Sequence, residues 1–232
     1  NQIHAAKPKP IGPAPLVTPI YQTSTYVFEN TQQGAARFAL EEDGYIYTRL
    51  HNPNADETAA RIALLEGGEA GMLTTSGMGA ITATLWTLLK SGDHIVSDAT
   101  LYGCTYAMFT EGFARFGVNV TLVDFSDYEA IKAAIRPETK IVYCESATNP
   151  DLKVVDIAAV AKIAHEANPE IKVMVDNTFP SPYLVQPIKL GADIVIHSAT
   201  KYLNGHGDVI AGAIIGSKQL IGDITVCGLK YM

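Results

Sequence analysis

What this sequence has little of narrows it first. Three cysteines, Cys104, Cys144 and Cys227, stand without CxxC spacing. An odd number cannot close a disulfide framework, so a reduced compartment, the cytosol, is expected. Basic charge is also scarce: 17 Lys and Arg against 24 Asp and Glu give a formal net charge of −7, which offers no footprint for nucleic acid or an anionic membrane. A small anionic ligand stays open, because a local cradle matters more than net charge. No apolar run approaches the ~20 residues of a membrane-spanning helix, and the opening NQIHAAKPKPIGPAP lacks the charged-then-apolar order of a secretory signal. The six histidines show no HExxH or other ligand spacing, so no metal is expected. GxSxG and Walker loops are missing as well.

What is present, 232 residues of which 47% are hydrophobic, describes a globular chain able to bury one sizeable core or two small ones. Residues 1–54 are rich in Pro, Gln, Thr and aromatics without a sustained period, which reads as an extended arm packing over something else. From Ala55 a helical spacing begins behind an Asn-Pro turn and ends near Gly67-Gly68. Short apolar runs at 71–75, 94–98, 120–125, 140–146, 172–179, 193–202 and 208–216 then alternate with helical segments near 80–89, 103–116, 128–135 and 157–167. That alternation predicts an α/β domain over 55–232, with a mostly parallel seven-stranded sheet covered by helices on both faces. The last two runs lie too close for a helix between them. NGHG at 204–207 is therefore read as a tight connection, with at least one pairing antiparallel.

In such sheets ligands bind outside the carboxyl ends of the strands. The residues there are Ser76-Gly77-Met78-Gly79, Asp98, Glu145, Asp176-Asn177 and Ser198-Ala199-Thr200-Lys201. SGMGAI (76–81) between strand and helix suits a phosphate at a helix N-terminus. A dinucleotide with Asp98 on its ribose is one reading, although Thr82 stands where GxGxxG needs its third glycine; a glycine turn that only permits close packing is another. SATK (198–201) says more. A lysine directly after an apolar run would be partly desolvated and nucleophilic, unless it simply snorkels to solvent. Its neighbours Ser198 and Thr200 are phosphate-suited hydroxyls, and Asp176 ends a neighbouring apolar run where an unpaired carboxylate would be costly. An amine, a carboxylate and a phosphate cradle at successive strand ends are what pyridoxal phosphate (PLP) requires.

The runs YIYTRL (45–50), TSGMGA (75–80), LYGCT (101–105), ESATNP (145–150), VDNTF (175–179) and HSATKYLNGHGDVIAG (197–212) together resemble the Cys/Met-metabolism family of PLP-dependent enzymes. The resemblance runs from about Tyr21 to Lys230. It implies the large domain of a type I PLP-dependent transferase, with the family's smaller C-terminal domain absent from this chain; the start without Met and the end at CGLKYM fit that expectation of a fragment. It further implies that Lys201 forms the Schiff base with the cofactor and that Asp176 partners the pyridine nitrogen. Gly77, Met78, Ser198 and Thr200 would hold the phosphate. Tyr102 would stack on the ring and serve as acid for a departing thiol, and Asn149 would touch the cofactor oxygen or the substrate carboxylate. Tyr47 and Arg49 resemble a pair donated to the phosphate of a neighbouring subunit, which implies a homo-oligomer, a dimer of active-site-sharing subunits and a homotetramer in all. Cys104 in YGCT points to the family's methionine γ-lyase branch. The implied activity is then α,γ-elimination of L-methionine, with another transsulfuration reaction of a sulfur amino acid as the alternative. Three departures stand out: His51 and Asn54 in HNPN (51–54) where the family usually has GNPT, Tyr231 where methionine-cleaving relatives tend to have Asp, and the missing C-terminal domain with its carboxylate-clamping arginine.

Overall fold

The computed structural model describes residues 15–229; Tyr231 lies outside them. In chain order the elements are α1 (Thr31–Phe38), α2 (Pro53–Glu66), β1 (Ala70–Thr74), α3 (Gly77–Leu88), β2 (His94–Asp98), α4 (Gly103–Ala107), β3 (Asn119–Val123), α5 (Tyr128–Ala134), β4 (Thr139–Glu145), α6 (Ile157–Ala167), β5 (Lys172–Asp176), the single turn α7 (Ser181–Leu184), β6 (Ile194–His197), β7 (Gly212–Gly216) and α8 (Lys218–Ile224). The strands form one sheet in the order β1-β7-β6-β5-β4-β2-β3. From β3 to β6 every pairing is parallel, while β7 is antiparallel to both β6 and β1. Strands β1 to β6 thus all end on one edge, and β7 starts there.

Period-2 alternation sorts each strand between two buried faces. Ile141, Tyr143, Met174, Ile194, Ile196 and Ile214 point to one side, where α3 and α8 pack with Ile81, Leu85, Ile221 and Ile224. Val142, Cys144, Val173 and Val175 point to the other and meet Ile131 of α5 and Ile157, Val160 and Ala164 of α6. Further along that second face Val195 and Ile215 meet Ile62 and Ala63 of α2. Helix α2 has the expected punctuation: Asn52 caps it, Pro53 opens it, and Gly67 closes it at φ 77°. The mostly parallel, doubly covered sheet agrees with the sequence reading.

Three local expectations need correction. Strands β6 and β7 are shorter than their apolar runs, and 198–211 is a looped excursion instead of strand plus tight turn. Lys201 N donates to Ser198 O (3.1 Å), Asn204 N to Ala199 O (3.0 Å) and Gly205 N to Lys201 O (2.8 Å), so the chain coils on itself as soon as it leaves the sheet. The segment 103–116 is not one regular helix: after α4 it widens into a π turn over Met108–Gly112 and tightens into a 3-10 turn over Phe113–Phe116, with Phe109 and Phe113 both in the core. The arm is not extended throughout. It carries α1 and doubles back, with Tyr26 N donating to Ile46 O (3.2 Å) and Thr48 N to Ser24 O (2.9 Å). The departure at Asn54 finds its use here: the amide accepts from Tyr21 N (2.8 Å) and donates to Pro19 O (2.8 Å), tying the arm to the start of α2. His51 lies 3.3 Å from Asp56, whose carboxylate raises the imidazole pKa. No helix among the described residues is long and apolar enough to cross a membrane.

Candidate active site

The edge where β1 to β6 end encloses a cavity of about 290 Å³. Its first wall is the start of α3. Ser76 caps that helix by accepting from Gly79 N (3.0 Å), and the amides of Gly77 and Met78 lie in the first turn, where no intrahelical acceptor exists and the helix dipole is positive. The opposite wall is the turn at 198–201. The two approach so closely that a Cβ on Gly77 would stand 2.8 Å from Ser198 Cβ, so glycine is required for packing as well as for the amide cradle. Gly212 does the same behind this wall, where a Cβ would meet Ser76 O at 2.1 Å. Thr200 faces the cavity while its hydroxyl donates to Ala211 O (3.1 Å) and accepts from Ala211 N (3.0 Å), which extends the β6–β7 pairing past the strand ends.

Lys201 lines the same cavity, but its side chain is exposed. The desolvation expected of a lysine at the end of an apolar run is therefore not provided by this chain: Lys201 stands four residues beyond the last strand residue, on the outer turn. Asp176 sits deeper. Burial raises its carboxyl pKa against the lowering effect of two hydrogen bonds, from Thr178 N (3.0 Å) and Thr178 Oγ1 (2.5 Å), to Oδ1. Thr178 Oγ1 also accepts from Ser198 N (2.8 Å). One threonine thus joins the carboxylate to the phosphate-suited turn.

Tyr102 and Asn149 complete the rim. Tyr102 is 44% exposed, and the Cys104 thiol donates to its hydroxyl at 3.4 Å. Cys104 stands beside Tyr102 and is itself exposed. The backbone amides of Tyr102 and Asn149 both end on Glu145, at 2.6 and 2.9 Å. Tyr47 and Arg49 are the two expected residues that the fold keeps away. They lie on the doubled-back arm beside a separate depression lined by residues 20–24, with the Arg49 guanidinium 5.7 Å from the Tyr47 ring centroid. Asp98 does not serve as a ribose acid: it is fully buried, accepts from Thr100 N (2.9 Å) and pairs with Lys153 (3.4 Å).

Sequence reasoning assigned no role to Glu145 or Thr178. The signal for Glu145 was a carboxylate ending a wholly apolar run, the same signal that picked out Asp176. The two are register partners on adjacent strands. Their sequence neighbours alternate to the other face and build a second layer: Ser146 Oγ donates to Asn177 Oδ1 (2.8 Å), Asn177 Nδ2 to Glu66 Oε1 (2.9 Å), and His197 Nε2 lies 2.6 Å from the same oxygen. These four side chains are buried and brace three strand ends from behind.

Burial, with Asp176 and Asp98 adding to it, lifts the Glu145 carboxyl from 4.5 to about 7 despite its two amide donors. A raised carboxyl pKa stabilises the fold fully below 4.5, and that contribution is lost as pH climbs through about 7. In cofactor-free protein, Glu145→Gln is therefore expected to gain stability relative to the parent between about pH 5 and 8, by roughly 3 kcal/mol at most. Thermal unfolding of both proteins across that range checks it; a constant difference would refute the assignment.

The residues meet PLP's demands on three observations. The half-buried carboxyl of Asp176 has no salt-bridge partner among the described residues, the cradle formed by Gly77 and Ser198 has no room for a further Cβ, and the Lys201 amine opens on the same cavity. Comparison with known proteins agrees. A protein called L-methionine gamma-lyase from Treponema denticola is 56% identical over the whole chain, which spans 58% of that relative's length. A solved structure of metB from Corynebacterium glutamicum superposes with a TM-score of 0.90 at 38% identity, covering 99% of this chain and 58% of that one. An O-acetylhomoserine (thiol)-lyase (metY) from Campylobacter jejuni, solved with a pyridoxyl-lysine phosphate, gives a TM-score of 0.84 at 38% identity over 89% of this chain and 51% of that one. The family described as Cys/Met metabolism PLP-dependent enzyme matches residues 1–227, and the chain belongs to that family.

Proposed function

We propose that the full-length protein is a PLP-dependent carbon–sulfur lyase that converts L-methionine and water to methanethiol, 2-oxobutanoate and ammonia. When bound, PLP supplies an electron sink for negative charge developing beside the substrate nitrogen. The Gly77 and Met78 amides with the Ser198 hydroxyl would hold the phosphate, the Thr200 hydroxyl would join them by turning from Ala211 O, and the Asp176 carboxylate would keep the ring nitrogen protonated. Lys201 would hold the cofactor, and its amine, when free, would take the proton from substrate Cα, return it to the bound molecule and only then take one from Cβ. The Tyr102 hydroxyl gives its proton to the departing sulfur. Asn149 orients the substrate carboxylate or cofactor oxygen.

The observation that carries the choice of substrate is Cys104, whose thiol meets the Tyr102 hydroxyl where the substrate's γ-sulfur would arrive. The greater identity to the methionine gamma-lyase than to the metB and metY proteins favours the same branch. Tyr47 and Arg49, standing outside the cavity of their own chain, suit a phosphate in a neighbouring subunit, where arginine's fork would add two charged donors. Active-site-sharing dimers follow from that reading; their pairing as a homotetramer rests on the family resemblance alone, and a cytoplasmic location on the three unpaired cysteines. The full-length protein, incubated with L-methionine, is expected to release methanethiol and 2-oxobutanoate in equal amounts. Turnover of cystathionine or O-acetylhomoserine without methanethiol from methionine would replace this reading with another transsulfuration activity.

A further inference from the structure

Glu145 is the one carboxylate at the cavity for which the reaction has no use. It is 4% exposed, ends β4, and lies beside Asp176 in register. A buried carboxylate next to another is an unfavourable arrangement, and a sheet edge of this kind does not need it for packing. Both of its oxygens are committed. Oε1 accepts from the backbone N–H of Tyr102 at 2.6 Å, and Oε2 accepts from that of Asn149 at 2.9 Å. These amides belong to different loops, one following β2 and one following β4. Each loop carries a side chain that lines the cofactor cavity. Helix α4, which Tyr102 opens, has no side-chain cap of its own.

We infer that Glu145 is a positioning residue that holds Tyr102 and Asn149 at a fixed separation across the cofactor ring, through its two backbone hydrogen bonds. The carboxylate suits this because it is acceptor-only and bidentate. A glutamine of the same shape presents one acceptor and one NH₂ group, so whichever way it turns, one loop amide faces a donor and is released. Aspartate keeps both acceptors but is one methylene short of reaching both loops. The groups facing Glu145 are Asp176 on β5 and Asp98 on β2, both of which oppose its ionisation, and the two amides, which favour it.

The inference rests on the proposed placement of Tyr102 and Asn149 at the cofactor, and its test uses no sulfur substrate, so it stands or falls separately from the elimination reaction. Full-length parent, Glu145→Gln and Glu145→Asp are stripped of cofactor and titrated with PLP, following absorbance and visible circular dichroism of the bound ring. Glu145→Gln is expected to bind PLP about tenfold more weakly, the effect of losing one charge-assisted hydrogen bond. The ellipticity per bound cofactor should fall to about half or less, because ring asymmetry depends on the stacked tyrosine. Glu145→Asp, which retains charge, is expected to fall between the two and serves if the glutamine variant does not fold. A residue that merely supports the fold would change the melting temperature and leave ellipticity per bound cofactor unaltered. Affinity within about twofold of the parent, with unchanged ellipticity in a variant that folds, overturns the inference.

Discussion

Full-length protein carrying Lys201→Ala is expected to lose its visible absorbance on dialysis and to turn over sulfur amino acid on the order of 10³–10⁴-fold more slowly than the parent. Under the proposed function two roles would vanish with the one amine: the covalent hold on the cofactor and the base that moves protons at Cα and Cβ. The loss should be chemical and not conformational. The Lys201 side chain is exposed, and the turn that presents it is held by backbone bonds from Lys201 N to Ser198 O and from Gly205 N to Lys201 O, neither of which needs the side chain. Alanine forfeits little packing at such a site, so the melting temperature of the cofactor-free protein should hardly move. Retained absorbance after dialysis, or activity within tenfold of the parent, would mean that another amine does the work.

Asp176→Asn is expected to separate those two roles. Asparagine has the same shape, and its carbonyl can take the hydrogen bonds that Thr178 gives to Oδ1. Lys201 is untouched, so the cofactor should remain covalently attached and coloured. What disappears is the negative charge that keeps the ring nitrogen protonated, and with it the ring's capacity to accept electrons. Turnover should fall roughly 10²–10³-fold, the cost of removing one preorganised electrostatic group. Stability should move the other way. Burial already raises the Asp176 pKa, so the neutral amide relieves a strained charge, and the cofactor-free variant should melt at or above the parent near neutral pH. Rate and absorbance measured on both variants test the scheme together: loss of cofactor from Asp176→Asn, or its unimpaired turnover, would break it.

Much of this was legible in the sequence, for identifiable reasons. Strands β4, β5 and β6 are buried on both faces and so read as continuous apolar runs. Their carboxyl ends, where a hydrophilic residue interrupts the run, carry Glu145, Asp176 and the Ser198–Lys201 turn. Helix α2 announced itself through Asn52, Pro53 and Gly67. What stayed hidden depends on contacts distant in sequence. Helix α1 is only two turns long and buries only Gly34, too short a stretch for its spacing to stand out in the arm. The run 193–202 continues beyond His197 with the small residues Ser198-Ala199-Thr200, but the chain leaves the sheet there because its amides find partners within the turn. Glu145 was recognisable as a strand-end carboxylate, yet its partners are backbone amides 43 residues before it and 4 after it. No side-chain pattern records a backbone donor.

Thr178 leaves the site with a built-in measure of length. Its hydroxyl proton goes to Asp176 and its lone pair receives Ser198 N, so the carboxylate proposed to read a ring charge and the turn proposed to read a phosphate are spaced by one small, stiff side chain. A ligand with only one of those features, a bare pyridine aldehyde or a bare phosphate, would satisfy one end and leave the other without partners. On that proposal, selectivity between vitamin forms would be a property of the distance, set before any contact with the ligand is made.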